Sequence, residues 1–130
     1  RFAKSNMNYI MIFEDDVIFQ DGFFDVFDDY LKVVPKEFDV LYLGDGCGLK
    51  LTYSTNDLIG IHPKKQSKCV DSYIVTKTAA QKIVHDCLPL YCNWDWELNY
   101  QQFKHNMNVY WVTKPLIKQG SQIGQYKTSF

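Results

Sequence analysis

YIMIFEDDVIF, residues 9–19, is the stretch on which the reading of this chain turns. Tyr9 to Phe13 form an unbroken apolar run, short enough for one strand and closed at once by Glu14, Asp15 and Asp16. A run without polar alternation reads as a strand buried on both faces, as in a parallel sheet. Open α/β sheets place their ligand sites beyond the carboxyl ends of strands, which is where the three acids stand. Adjacent carboxylates repel one another and lose solvation in such a place. A divalent cation that favours hard oxygen ligands, Mn²⁺ or Mg²⁺, offsets both costs. Residues i and i+2 point the same way on an extended chain, so Glu14 and Asp16 are the candidate metal pair and Asp15 faces away. The competing reading is an ordinary acidic turn after a strand.

Working outward, apolar residues at Phe23, Phe24, Phe27, Tyr30, Leu31 and Val34 have helical spacing, with Asp21 as a candidate N-cap and Pro35 as a stop. Phe38 to Leu43 is a second strand, closed by Gly44-Asp45-Gly46. Residues 47–68 lose the pattern and read as a long loop holding at most a short strand pair, and loops of that length are often functional. Tyr73 to Thr76 is a third strand. It leads into a helix over Lys77 to Cys87 whose apolar face is Ala79, Ala80, Ile83, Val84 and Cys87. A third, polar-aromatic helix, roughly Asp95 to His105, is entered through Asn93. Val109 to Val112 and Pro115 to Ile117 are late strands, and Lys118 to Phe130 is a polar tail. Alternating strands and helices predict an α/β layered domain with a mostly parallel central sheet.

The 130 residues fit one domain, 46% apolar and 22% charged, with enough bulk to bury a core. A net charge of -1 argues against a nucleic-acid binder. No stretch approaches a membrane span, and no signal peptide opens the chain. Because the first residue is Arg1 and a strand follows within about eight residues, the chain reads as an excerpt of a longer protein. Cys47, Cys69, Cys87 and Cys92 lie 22, 18 and 5 residues apart, which matches no zinc pattern and reads as buried free thiols. Without an Asn-x-Ser/Thr sequon, a cytoplasmic setting is favoured, with the endoplasmic reticulum lumen open to it if a signal lies upstream. His62, His85 and His105 lack ligand spacing.

Several segments resemble, in order, those of glycosyltransferase family 25, which includes lipopolysaccharide sugar transferases and procollagen galactosyltransferases. Residues 9–19 resemble its "IlEDDv" segment, and Phe38 to Gly44 its "fDvlyLG" strand. Tyr73 to Ile83 resemble "aYvvskkaAkkl", Asp95 to Asn99 "vDw.ln", and Lys114 to Ser121 the closing "P.lv.Qgs" stretch. The resemblance runs from about residue 8 to residue 129. It implies one domain over 1–130 with a GT-A-type, Rossmann-like fold, lacking its N-terminal nucleotide-binding strands if the excerpt begins late.

By that resemblance the acidic triplet acts as a DxD-like motif, with Glu14 and Asp16 on the metal and Asp15 toward the donor. The reaction implied is inverting transfer of galactose or glucose from a UDP-sugar to a hydroxyl of a glycan or protein acceptor. Asp95 is then the general base, with Glu97 as the alternative, and the competing role for Asp95 is a helix cap. Trp94 and Trp96 either stack on sugars or pack into the core. Val70-Asp71-Ser72 replaces a glycine of the family pattern, and Asp71 and Ser72 are candidates for hydrogen bonds to donor or acceptor. Gln119 and Ser121 lie on a polar loop that is a candidate to fold over the donor, with Lys118 a candidate to pair with its diphosphate; the competing reading is a simple surface tail. Gly44 to Gly48 lack the Lys-Ser/Thr of a phosphate-binding loop and read as a turn beside the site. A catalytically silent glycan-binding or interaction domain is the alternative. A phosphohydrolase with Asp15 or Asp16 as nucleophile lacks its required second Asp-Thr/Ser motif. Acceptor, linkage and oligomeric state leave no mark in the sequence.

Overall fold

The computed structural model describes residues 2–51, 53–54 and 56–126; the predicted polar tail runs on beyond them. After a 3₁₀ turn at Phe2–Lys4 come β1 (Tyr9–Phe13), β2 (Val17–Phe19), α1 (Phe23–Val33) and β3 (Val40–Tyr42). The short pair β4 (Tyr53–Ser54) and β5 (Ile59–Ile61) lies inside the long loop, and β6 (Ser72–Thr76) follows. The chain then forms α2 (Lys77–Asp86), α3 (Trp94–Lys104), β7 (Val109–Val112) and β8 (Ile117–Gln119).

Six strands make one sheet in the order β1-β6-β3-β7-β5-β4, while β2 and β8 form a separate antiparallel pair. The fold is α/β, but the expectation of a mostly parallel sheet is overturned. Only β3 and β7 run parallel, Val40 opposite Val109, and the other neighbours in the sheet are antiparallel. The physical reason is that an unbroken apolar run reports burial on two faces, which does not fix strand direction. The central strands show this by strict alternation. Val40, Tyr42, Tyr73, Val75, Val109 and Trp111 enter a core with α2 and α3. Leu41, Leu43, Ile74 and Val112 enter a second core with α1. Burying each such Leu, Ile or Val contributes roughly 1.5–3 kcal/mol before the entropy of ordering is subtracted. The run that prompted the parallel reading, β1, is an edge strand and only partly buried.

The helices differ from expectation at their ends. Gly22, not Asp21, occupies the N-cap of α1 with no side-chain cap, and Phe24 is 82% exposed while Phe23 and Tyr30 are buried. Thr76 caps α2 by accepting from the Ala79 N–H. Asp86 at the end of α2 meets Lys104 at 2.8 Å and His105 at 2.9 Å, which fastens α2 to the end of α3. No helix among the described residues is long and apolar enough to cross a membrane.

Candidate functional site

The antiparallel arrangement brings the carboxyl ends of β1 and β3 to the amino end of β6. Phe13 pairs with Ser72, and the Glu14 N–H donates to the Asp71 carbonyl at 2.9 Å. On the other side of β6 the Leu43 N–H donates to the Ser72 carbonyl at 3.0 Å. Glu14, Gly44 and Asp71 therefore meet at one end of the sheet. Asp71 is 2% exposed, and its Oδ1 accepts from the Ser72 N–H at 2.8 Å. A Cβ built on Gly44 would stand 2.6 Å from Asp71 Oδ1, 2.7 Å from its Cγ and closer still to Oδ2. Glycine is thus required here by close approach. Burial pushes Asp71 up from 3.8 to about 6, opposed by the Ser72 hydrogen bond and helped by the charges of Asp45 and Asp16.

The acidic triplet is held by the end of the chain. β2 pairs with β8, Val17 opposite Gln119, which lays residues 119–121 alongside residues 14–16. Gln119 Nε2 donates to Glu14 Oε2 at 2.9 Å, and the Ser121 hydroxyl and N–H donate to Asp16 Oδ2 at 2.5 and 3.2 Å. Glu14 and Asp16 thus turn to the same side and meet residues that are themselves two apart, while Asp15 is exposed. The Gly120 N–H donates to the Asp16 carbonyl at 2.7 Å, and a side chain on Gly120 would strike the Tyr126 ring. Burial, then the charges of Asp95, Asp16, Asp71 and Asp15, push Glu14 up from 4.5 to about 7. Asp95 is among the charges felt at Glu14 although it lies 81 residues away in sequence.

Asp95 stands in the first turn of α3 and is half-buried. Burial raises its pKa in spite of the hydrogen bond from its own N–H, so at this helix N-terminus desolvation outweighs the pull toward the ionised form. Asp95 also lines a cavity of about 370 Å³ with His62, Lys64, Ser67, Lys68 and Trp96. The loop wall of that cavity is fastened to α3. Asn99 accepts from the Ser67 N–H at 3.0 Å and donates to the Ser67 carbonyl at 2.7 Å.

The remaining candidates fall elsewhere. Glu97 is buried, and its carboxylate accepts from Gln101 Nε2 at 2.7 Å within α3. Lys118 is exposed and alternates to the strand face opposite Gln119. Trp94 packs on the core and donates to the Tyr73 hydroxyl at 3.1 Å, whereas Trp96 is 71% exposed at the cavity. Ser72 is fully buried, and its hydroxyl has no partner among the described residues. Sequence reasoning missed Gln122, whose Nε2 donates to Cys47 Sγ at 2.9 Å and also to Gln119 Oε1. It also missed the packing of Gly44 on Asp71, for which the glycine closing the β3 segment was the available signal.

The oxygen donors and the surplus negative charge around Glu14 suit a hard divalent cation. Among the described residues no three His, Cys, Asp or Glu side chains converge to hold an ion by themselves. Mg²⁺ is usually held by one or two carboxylates with water and substrate phosphates completing the shell. Glu14 and Asp16, oriented by Gln119 and Ser121, fit that kind of site.

Residues 1–68 match glycosyltransferase family 25, described as an LPS biosynthesis protein. That is just over half of the 130 residues and includes the triplet and the β3–Gly44 segment. The chain belongs to glycosyltransferase family 25. Family 25 membership points to a transferase that uses a nucleotide-sugar donor and to a GT-A-like fold, here with a mostly antiparallel sheet. Asp71, Asp95 and the Gln119–Ser121 segment lie outside the matched residues and enter the site through the fold alone. No curated protein matches the chain significantly.

Proposed function

We propose that this chain carries out metal-dependent, inverting transfer of a hexose, galactose or glucose, from a UDP-sugar to a hydroxyl of a glycan or protein acceptor. What supports the reading is the hold of Gln119 on Glu14 and of Ser121 on Asp16, two acids set two residues apart beside buried Asp71, with the charge of Asp95 felt at Glu14. Glu14 and Asp16 would hold the divalent ion. When bound, that ion supplies Lewis-acid stabilisation of the charge developing on the leaving diphosphate. Gln119 and Ser121 fix the orientation of the two carboxylates. The acceptor sits in the cavity beside Asp95 with a sugar face on Trp96. Asp95 takes the proton from the acceptor hydroxyl as its oxygen bonds to the anomeric carbon and the bond to the diphosphate breaks on the opposite face. A carboxylate with a pKa raised by burial is a stronger base for that step than a fully solvated one.

The test is release of nucleoside diphosphate from a panel of nucleotide sugars with Mn²⁺, with and without acceptor glycans. Release that disappears on chelation and in Asp16→Ala supports the transferase. Glycan binding that survives both treatments, with no turnover of any donor, would instead establish the silent binding module.

A further inference from the structure

Cys47 sits between Gly46 and Gly48, and all three residues have positive φ, 57, 63 and 73° respectively. Glycine adopts that conformation freely, while a residue with a Cβ is disfavoured there. A cysteine in the middle of such a turn is held by something its side chain does. Its sulfur lies 2.6 Å from that of Cys69, across a loop of 22 residues. Gln122 Nε2 covers the pair, 2.9 Å from Cys47 Sγ and 3.7 Å from Cys69 Sγ. The other two cysteines are elsewhere: Cys87 is buried in the core beneath α2, and Cys92 is exposed and faces Glu97.

We propose that Cys47 and Cys69 are an oxidisable pair whose cross-link closes the 47–69 loop at its base. The oxidant is a low-molecular-weight disulfide such as oxidised glutathione. Cys47, the more accessible thiol, attacks one sulfur of that disulfide, releases one glutathione thiol and carries the other half as a mixed disulfide. The Cys69 thiol then gives up its proton and displaces the second glutathione. Two protein thiols and one glutathione disulfide become one protein disulfide and two glutathione thiols, so electrons and protons balance. Burial and the neighbouring Cys47 and Asp71 push the Cys69 thiol up, which disfavours it as the thiol that starts the exchange; its closeness to Cys47 is what lets it resolve the mixed disulfide.

Placement gives the cross-link its consequence. Cys47 follows Gly44 by three residues and Cys69 precedes Asp71 by two, so the bond clamps the two backbones that bring glycine and carboxylate together. The closed loop carries Leu49, His62, Lys64, Ser67 and Lys68 of the cavity wall. The proposal is independent of the transferase reading, because no step of it involves a sugar or a metal.

The experiment equilibrates the full chain with glutathione buffers of increasing oxidised fraction, quenches with acid, alkylates free thiols and maps unreduced peptides by mass spectrometry. The expected result is a Cys47–Cys69 linked peptide two hydrogens lighter than the separate pair, with Cys87 and Cys92 alkylated. Cys69→Ser is expected to stop at a mixed disulfide on Cys47. In thermal unfolding the oxidised chain melts above the reduced one by about 5 °C or more, a difference lost in Cys47→Ser. Separate alkylation of Cys47 and Cys69 at every buffer ratio, pairing of either with Cys87 or Cys92, or equal melting of oxidised and reduced chains would overturn the proposal.

Discussion

Gly44 packs directly on the carboxylate of Asp71, with no room for even a methyl group between them. Alanine at 44 must displace Asp71 or the end of β3, an overpacking cost of about 1–3 kcal/mol. Shortening Asp71 removes the obstacle. Gly44→Ala is therefore expected to be clearly destabilising alone and much less so in an Asp71→Ala background. Urea denaturation of the two single variants and the double variant measures that coupling, and simple additivity would sink the account.

Glu14 gives the folded chain a pH-dependent weakness. Below its ordinary value of 4.5 it is protonated whether folded or not. Between there and about 7 the folded state keeps a proton that the unfolded chain has released, so stability falls as pH rises. Asp71 adds the same sign between 3.8 and about 6. In chelator, Glu14→Gln is expected to melt above the parent at pH 8 and to lose that advantage below pH 5. A melting difference that does not vary with pH would contradict the cluster described for Glu14.

If Asp95 takes the acceptor proton, Asp95→Asn keeps the shape and removes the base. Turnover is expected to fall about 10²–10⁴-fold while UDP with Mn²⁺ still binds, as calorimetry would read. Loss of donor binding together with turnover would assign Asp95 to the donor side instead.

The two tryptophans flanking Asp95 should separate cleanly. Trp94→Ala removes a half-buried ring packed on the core together with its hydrogen bond to the Tyr73 hydroxyl, for a cost of about 2–3 kcal/mol. Trp96→Ala removes an exposed ring, so stability is expected to hold while the acceptor KM rises. Circular dichroism melts and initial-rate kinetics with varied acceptor distinguish the two effects.

Much of this was legible in the residues. Two helices follow from their apolar spacing, the third from a polar-aromatic stretch entered through Asn93, and the strands from short β-branched and aromatic runs. The triplet announces itself, since three acids after a strand need an explanation. Strand direction was not legible, because two-sided burial gives antiparallel β6 the same unbroken apolar character as a parallel strand. Nor was the β2–β8 pair, because three-residue strands carry almost no periodicity and Val17 to Phe19 gain their meaning only from partners about a hundred residues away. Asp95 is the candidate base through the family resemblance of the segment that opens α3. Its share in the charge around Glu14 depended on how α3 docks, which no local pattern encodes.

The β2–β8 pairing also fixes when the site can come into being. Glu14 and Asp16 leave the ribosome 105 residues before Gln119 and Ser121, an interval of about 5–20 s at ordinary rates of synthesis. For that time the acids are an unclasped, self-repelling knot at the rim of a nascent sheet. The clasp at this rim thus arrives late in translation, and a chain stalled within α3 would have Glu14 and Asp16 with nothing to aim them.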